Sequence, residues 1–179
     1  IMKVRVLKKQ HNSNDCAVCG VKNPISLNAQ IYELENGMVV GLTTGRECHQ
    51  SYPNRMHGGI ISALLDEIIG RAITILEPET FGVTASLEVK FKKPVPLNEP
   101  IKVVGKIIKN TRMFFETEGF VEDQNGNILA IAHATYVKQN VEKISNTTFT
   151  NENWFVIKDN VEFVDIKNTD FFKTRHFLK

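Results

Sequence analysis

Asn54-Arg55-Met56-His57-Gly58-Gly59-Ile60-Ile61-Ser62-Ala63-Leu64-Leu65-Asp66-Glu67 opens the one strong helical segment of the chain. Apolar residues fall on nearly every side of it: Ile60, Ile61, Ala63, Leu64, Leu65, Ile68, Ile69, Ala72, Ile73, Ile75 and Leu76. The spacing predicts a helix from about His57 to Leu76, stopped by Pro78. A helix that is apolar all round is expected to be buried all round. It is too short and too charged to span a bilayer.

Downstream the period changes to two. Ala85, Leu87, Val89 and Phe91 alternate with Ser86, Glu88, Lys90 and Lys92, which predicts a half-buried strand ended by Pro94 and Pro96. Further strands read at Ile101 to Lys109, Met113 to Val121 and Ile128 to Val137. Turns at Asn110-Thr111 and Asp123-Gln124-Asn125-Gly126 make these antiparallel hairpins. Upstream, Ala29 to Leu34 and Met38 to Thr43 flank Asn36-Gly37, a strong hairpin signal. The first stretch, to about Leu27, is rich in turn residues and reads as irregular. Two strands, one buried helix and four strands give an α+β fold, a curved antiparallel sheet around one helix. A single sheet leaves edges uncovered, so dimerisation is the expected remedy.

Composition narrows the function. In 179 residues, 22 Lys+Arg against 20 Asp+Glu leave a net charge of +2, which gives no reason to expect a nucleic-acid partner. Hydrophobic residues at 42% are enough for a packed core. No apolar run is long enough for a membrane span, and no secretory pattern opens the sequence. Three cysteines do not make a disulfide framework and fit a reducing cytoplasm.

The chemistry concentrates in the helix. Gly58 and Gly59 open it, where N–H groups point outward and the dipole favours negative charge. Such an end suits an anion, or an oxyanion developing during acyl transfer; a plain tight turn explains the glycines equally well. Asp66 lies on a helical strip with Ser62, Ile69, Gly70 and Ile73. A carboxylate there is costly to bury and its pKa is raised, so it is the best catalytic candidate. Glu67 is explained by an i,i+4 pair with Arg71.

His57-Gly58-Gly59, Leu64-Leu65-Asp66-Glu67 and Gly70 together resemble the central helix of the hotdog-fold thioesterases, specifically the PaaI-like acyl-CoA thioesterase group. The resemblance extends to Cys16-Ala17-Val18-Cys19-Gly20 with Asn23-Pro24 upstream. Downstream it takes in Gly82-Val83-Thr84-Ala85-Ser86-Leu87 and Phe91-Lys92-Lys93-Pro94. It implies a hotdog domain over residues 1–140, with 1–27 as lead-in and 141–179 as a C-terminal extension. It further implies acyl-CoA hydrolysis at two sites in the interface of a homodimer, with a homotetramer as the larger possible assembly, and no cofactor beyond the CoA of the substrate. By position, Asp66 would be nucleophile or general base, and the Gly58 N–H would polarise the carbonyl. Thr84 of the facing subunit would orient the water or Asp66, and His57 would hold the start of the helix. Relatives often place an Asn or Gln before the His-Gly-Gly. Here Asn54 is the catalytic candidate for that place, competing with Gln50 and Ser51, which with Gly59 are also candidates for substrate contact. Lys92 and Lys93 are candidates for the CoA phosphates. Lys90, Lys102, Lys106, Lys109 and Arg112 are better explained as a solvated strand edge.

Three rivals compete with this reading. Cys16-x-x-Cys19 with Cys48-His49 and His11 has ligand types for zinc, but a lone Cys-x-x-Cys is a weak signal and no metal is expected. A Ser62–His57–Asp66 triad lacks the Gly-x-Ser-x-Gly elbow. A hotdog domain that binds acyl-CoA without cleaving it is the alternative from another class.

The hotdog unit accounts for the chain only to about Gln139. The remainder holds Phe149, Trp154, Phe155, Phe163, Phe171, Phe172 and Phe177, seven of the fifteen aromatics (Phe 11, Tyr 3, Trp 1). Disordered tails are poor in aromatics, so this one is expected to dock, with Trp154 to Ile157 and Val161 to Val164 as a small hairpin.

Overall fold

A computed structural model describes residues 2–144 and 152–177. Its strands are β1 (Met2–Lys9), β2 (Asn12–Ser13), β3 (Gln30–Leu34), β4 (Val39–Thr44), β5 (Phe81–Phe91), β6 (Pro100–Asn110), β7 (Phe114–Glu122), β8 (Ile128–Gln139), β9 (Trp154–Phe155) and β10 (Phe163–Ile166). The helices are α1 (Gly58–Gly70), α2 (Ile73–Leu76) and α3 (Val141–Ile144). Eight strands form one antiparallel sheet in the order β10-β1-β3-β4-β6-β7-β8-β5, wrapped around α1. This is the hotdog arrangement. Among the described residues no helix is long and apolar enough to cross a membrane.

α1 lies against the concave face. Ile61, Leu64, Leu65, Ile68 and Ile69 are its buried side. The sheet makes room by omitting side chains beneath it: a Cβ at Gly119 would stand 2.4 Å from Ile69 Cγ2, and one at Gly105 2.9 Å from the same atom. Burial all round is not what the structure shows. Gly59 and Ala63 are exposed, and Ile60, Ser62, Asp66 and Glu67 are half-buried. The sheet covers one side of α1 and leaves a strip open.

The helix is also shorter than its apolar run. The carbonyl of Arg71 accepts from Gln10 Nε2 at 3.2 Å and Thr74 Oγ1 at 2.9 Å, while Ala72 N donates to Ile69 O, three residues back, at 3.2 Å. These bonds tighten the backbone after Gly70, and the chain restarts as α2.

Two expectations at the chain ends are corrected. The lead-in is not wholly irregular, because Met2–Lys9 forms β1 between β10 and β3. The alternation in Met2 to Lys9 is weak because that strand is largely exposed. The tail is not a hairpin either. β9 pairs with β2, and β10 pairs with β1. Between them Asp159 accepts from Tyr32 Oη at 2.6 Å and pairs with Lys9 at 2.5 Å, so the turn is fixed to the sheet rather than to a second tail strand. Phe149 lies outside the described residues.

The tail closes a second core on the convex face. Val164, Ile166 and Phe171 pack with Val4, Tyr32, Val40, Val104, Phe120 and Ile131. Buried Glu122 anchors the same segment, accepting from Asn168 Nδ2 at 2.6 Å and Asn168 N at 3.0 Å while Lys102 Nζ stands at 3.1 Å. Ile166 is 0% exposed. Ile166→Ala is expected to cost about 2–5 kcal/mol of stability, read by denaturant unfolding.

Candidate active site

Asp66 sits on the open strip of α1 beside β5 and β8. Its carboxylate accepts from Thr84 Oγ1 at 3.0 and 3.2 Å, and from Tyr136 Oη at 3.1 Å. Tyr136 Oη also stands 2.9 Å from the Asp66 carbonyl. Burial raises the Asp66 pKa, and the bonds from Thr84 and Tyr136 oppose that shift without cancelling it. Burial, then the Asp66 charge, pushes the Tyr136 phenol well up, so it remains a donor. Asp66, Thr84 and Tyr136 line a cavity of about 340 Å³, together with Gly70, Phe81 and Trp154.

Thr84 therefore bonds to Asp66 of its own chain, where the resemblance implied the facing subunit. Tyr136 was missed. It is 2% exposed on β8 with its ring stacked on Phe115 at 4.9 Å, and in the sequence it is one more apolar position of a strand buried on both faces. Gly70 is the indirect signal for it, because a Cβ there would stand 3.0 Å from the Tyr136 ring.

The other end of α1 presents one unclaimed donor. His57 caps the helix, and its Nδ1 accepts from Gly59 N at 2.9 Å. Ile60 N and Ile61 N both donate to the His57 carbonyl at 3.0 Å. Among the described residues the Gly58 N–H has no hydrogen-bond acceptor. The N–H of Gly59, by contrast, is engaged by the cap. The N–H of His57 donates to His49 O at 2.8 Å, which ties the start of the helix to the preceding loop.

Gly58 lines a separate groove of about 430 Å³ with Ser51, Tyr52, Phe91, Lys92 and Lys93. Of the three residues competing for the supporting place, Ser51 is the one at this groove. Asn54 holds a left-handed turn (φ 60), and its N–H donates to Gln50 Oε1 at 3.1 Å, so both shape the loop. Lys93 donates to Asn127 Oδ1 at 2.8 Å, Lys90 donates to His176 O at 3.1 Å, Lys102 pairs with Glu122 at 3.1 Å and Lys109 with Glu116 at 3.3 Å.

The rival constellations do not assemble. Ser62 Oγ donates to Gly58 O at 2.9 Å, back along its own helix, and the His57 Nδ1 is used by the cap. His49 bonds Ile25 O at 2.8 Å and Arg46 N at 2.9 Å, and Cys48 is exposed. Cys16 and Cys19 meet Glu67 instead, their ligand atoms within 4.8 Å of one another. Arg71 already serves two of those three groups: Nη2 stands 2.6 Å from Glu67 Oε1 and 3.3 Å from Cys19 Sγ. A divalent ion there would face a buried guanidinium.

Comparison with known proteins finds likenesses for this segment. Residues 54–130 match the thioesterase superfamily. The matched segment runs from the loop before α1 into β8, and so contains Gly58, Asp66 and Thr84. A thioesterase superfamily protein of solved structure is 27% identical with a TM-score of 0.63; the match covers 70% of this chain and 60% of that one. A hypothetical thioesterase from Streptococcus pneumoniae, solved with coenzyme A, is 22% identical with a TM-score of 0.57, over 63% of this chain and 87% of that one. The PaaI protein of E. coli is 14% identical with a TM-score of 0.58, over 64% and 81%. The last two are likenesses of fold. No curated protein matches the sequence.

Proposed function

We propose that this protein hydrolyses acyl-CoA thioesters to free acid and CoA, at sites built from two copies of the chain. The observation that carries the reading is the separation of its two half-sites on one helix. Gly58 and Asp66 stand eight residues apart, which is about 12 Å along the axis. A thioester carbonyl reached by Asp66, or by a water that Asp66 holds, lies too far from the Gly58 N–H of the same chain. A second copy resolves this.

β5 supplies the means. It is an eleven-residue edge strand, with Val83 and Phe91 exposed. Such an edge invites pairing. Antiparallel pairing of two β5 strands about their midpoint, Ser86, sets Phe81, which lines the Asp66 cavity with Thr84, against Phe91 of the other copy. Thr84 holds Asp66, and the Phe91 ring lies 3.5 Å from the position of a Gly58 Cβ. The carboxylate half-site of one copy then faces the helix end of its partner. This places Gly58, rather than Thr84, on the facing subunit.

In this mechanism Asp66 acts as general base on water, or as nucleophile on the carbonyl. Its raised pKa makes the carboxylate a better proton acceptor. Thr84 and Tyr136 fix its direction. The Gly58 N–H, with the helix dipole behind it, stabilises the oxyanion. Lys92 and Lys93 border the Gly58 groove, where Lys92, and Lys93 once released from Asn127, would meet CoA phosphates. The chemistry uses no cofactor beyond the CoA of the substrate. Coenzyme A in the Streptococcus pneumoniae neighbour, and acetyl CoA bound to a Streptococcus mutans protein of like fold, support that ligand class. An acyl-CoA substrate fits a cytoplasmic protein.

A panel of acyl-CoA thioesters varied in chain length and in aryl groups, read by thiol release, tests the reading. Turnover of at least one member is expected. Binding without thiol release would contradict hydrolysis and leave an acyl-CoA-binding domain.

A further inference from the structure

Cys16 and Cys19 take no part in the proposed hydrolysis, yet the fold prepares them for a reaction of their own. They lie in a tight turn closed by Gly20 N donating to Cys16 O at 3.0 Å. The turn aims two backbone N–H groups at one sulfur: Val18 N stands 3.3 Å and Cys19 N 3.4 Å from Cys16 Sγ. A Cβ at Gly20 would stand 2.2 Å from Cys16 O, so the turn depends on that glycine. Both line the cavity, Cys16 half-buried and Cys19 fully buried. Arg71 Nη2 reaches Cys19 Sγ at 3.3 Å, and Ser13 Oγ stands 3.9 Å from the same sulfur. Arg71 is itself held by Glu67, by His11 O at 3.0 Å and by the Trp154 ring at 4.5 Å, so this cation is fixed beside the thiols.

We propose that Cys16 and Cys19 are a redox-active dithiol, oxidised to an intramolecular disulfide by exchange with a small-molecule disulfide. The two sulfurs differ as such chemistry requires. The hydrogen bond from the Cys19 thiol, aided by the backbone N–H groups of Cys19 and Val18, pushes the Cys16 pKa down to about 6 against the effect of burial. The Cys19 thiol is raised by that same bond and by its burial. A thiolate that is accessible at neutral pH attacks; a buried thiol beside it resolves. In the first step Cys16 Sγ attacks one sulfur of the disulfide RS–SR. A Cys16–SR mixed disulfide forms, and RS⁻ leaves and takes a proton from solvent. In the second step Cys19 loses its proton and attacks Cys16 Sγ, expelling the second RS⁻. The protein dithiol is oxidised by two electrons and the small disulfide is reduced to two thiols.

Arg71 favours this over a metal site, because it supplies the positive charge that a metal would. The full chain carrying Cys48→Ser, which removes the one exposed cysteine, is the protein to use. It is equilibrated with graded ratios of glutathione disulfide to glutathione and analysed by mass after acid quenching. Loss of both free thiols with no glutathione retained is expected. Adding Cys19→Ser should stall the reaction at one glutathione on Cys16, and adding Cys16→Ser should slow glutathione uptake at least tenfold. Alkylation of Cys16 should show a pH midpoint near 6. Two thiols persisting at every ratio, a midpoint in the ordinary thiol range, or stoichiometric zinc protecting both sulfurs would each overturn the proposal.

Discussion

Asp66→Asn is expected to lower acyl-CoA turnover by about two to four orders of magnitude, the range typical of losing a positioned general base. The amide keeps the shape of the carboxylate, and its oxygen still accepts from Thr84 and Tyr136. It can neither take a proton from water nor attack a carbonyl. Stability should move the other way. Burial holds the Asp66 pKa above its unfolded value, so the native state binds more protons than the unfolded chain between those two values. Stability contributed by this group is therefore present at low pH and lost as pH rises through that window. At neutral pH the charged, half-buried carboxylate is a net burden. Asp66→Asn should raise the melting temperature slightly while turnover collapses, which separates a chemical loss from a folding one. The same shift sets the pH profile: turnover of the wild type should fall on acidification, with a midpoint above the usual aspartate range.

Gly58→Pro is expected to lower turnover by about two to three orders of magnitude, the cost of one oxyanion donor. The substitution is chosen to remove the N–H and little else. Gly58 is the first residue of α1, where proline is favoured because its missing N–H has no intrahelical partner. His57 already has the extended backbone that a following proline demands, with φ −65 and ψ 136. The space is adequate too, since the nearest atom to a Cβ at Gly58 is 3.5 Å away, on the Phe91 ring. Melting temperature should be unchanged or higher. A drop in turnover confined to KM would speak for substrate binding at this groove rather than oxyanion stabilisation.

Much of the candidate site's placement is legible in the sequence because local rules govern it. The apolar run from Ile60 marks the helix, the glycine pair marks its open end, and a lone Asp among small and apolar residues marks the proposed base. Strands β5 to β8 follow from their period of two and their turns. What could not be read is what depends on distant partners. The end of α1 is set by Gln10 reaching the Arg71 carbonyl from 61 residues away. β1 is exposed on most of its length, so its pairing with β10 leaves little pattern in the sequence. Tyr136 is hidden for the opposite reason: in a strand buried on both faces, a phenol aimed at Asp66 looks like one more core ring. Gly58 and Gly59 read alike until the cap appears, because only the direction of the His57 ring separates a consumed N–H from an open one.

The central claim is that each active site joins Asp66 of one copy to Gly58 of the other. Mixing the two variants tests it most directly. Asp66→Asn and Gly58→Pro chains, each nearly inactive, are unfolded together, refolded in equal amounts and assayed for thiol release. In a mixed dimer one site carries both lesions and the other carries neither. With random pairing, turnover should recover to about a quarter of wild type. Activity no higher than the average of the two separately refolded variants, in a sample shown to contain mixed dimers, would contradict a shared site.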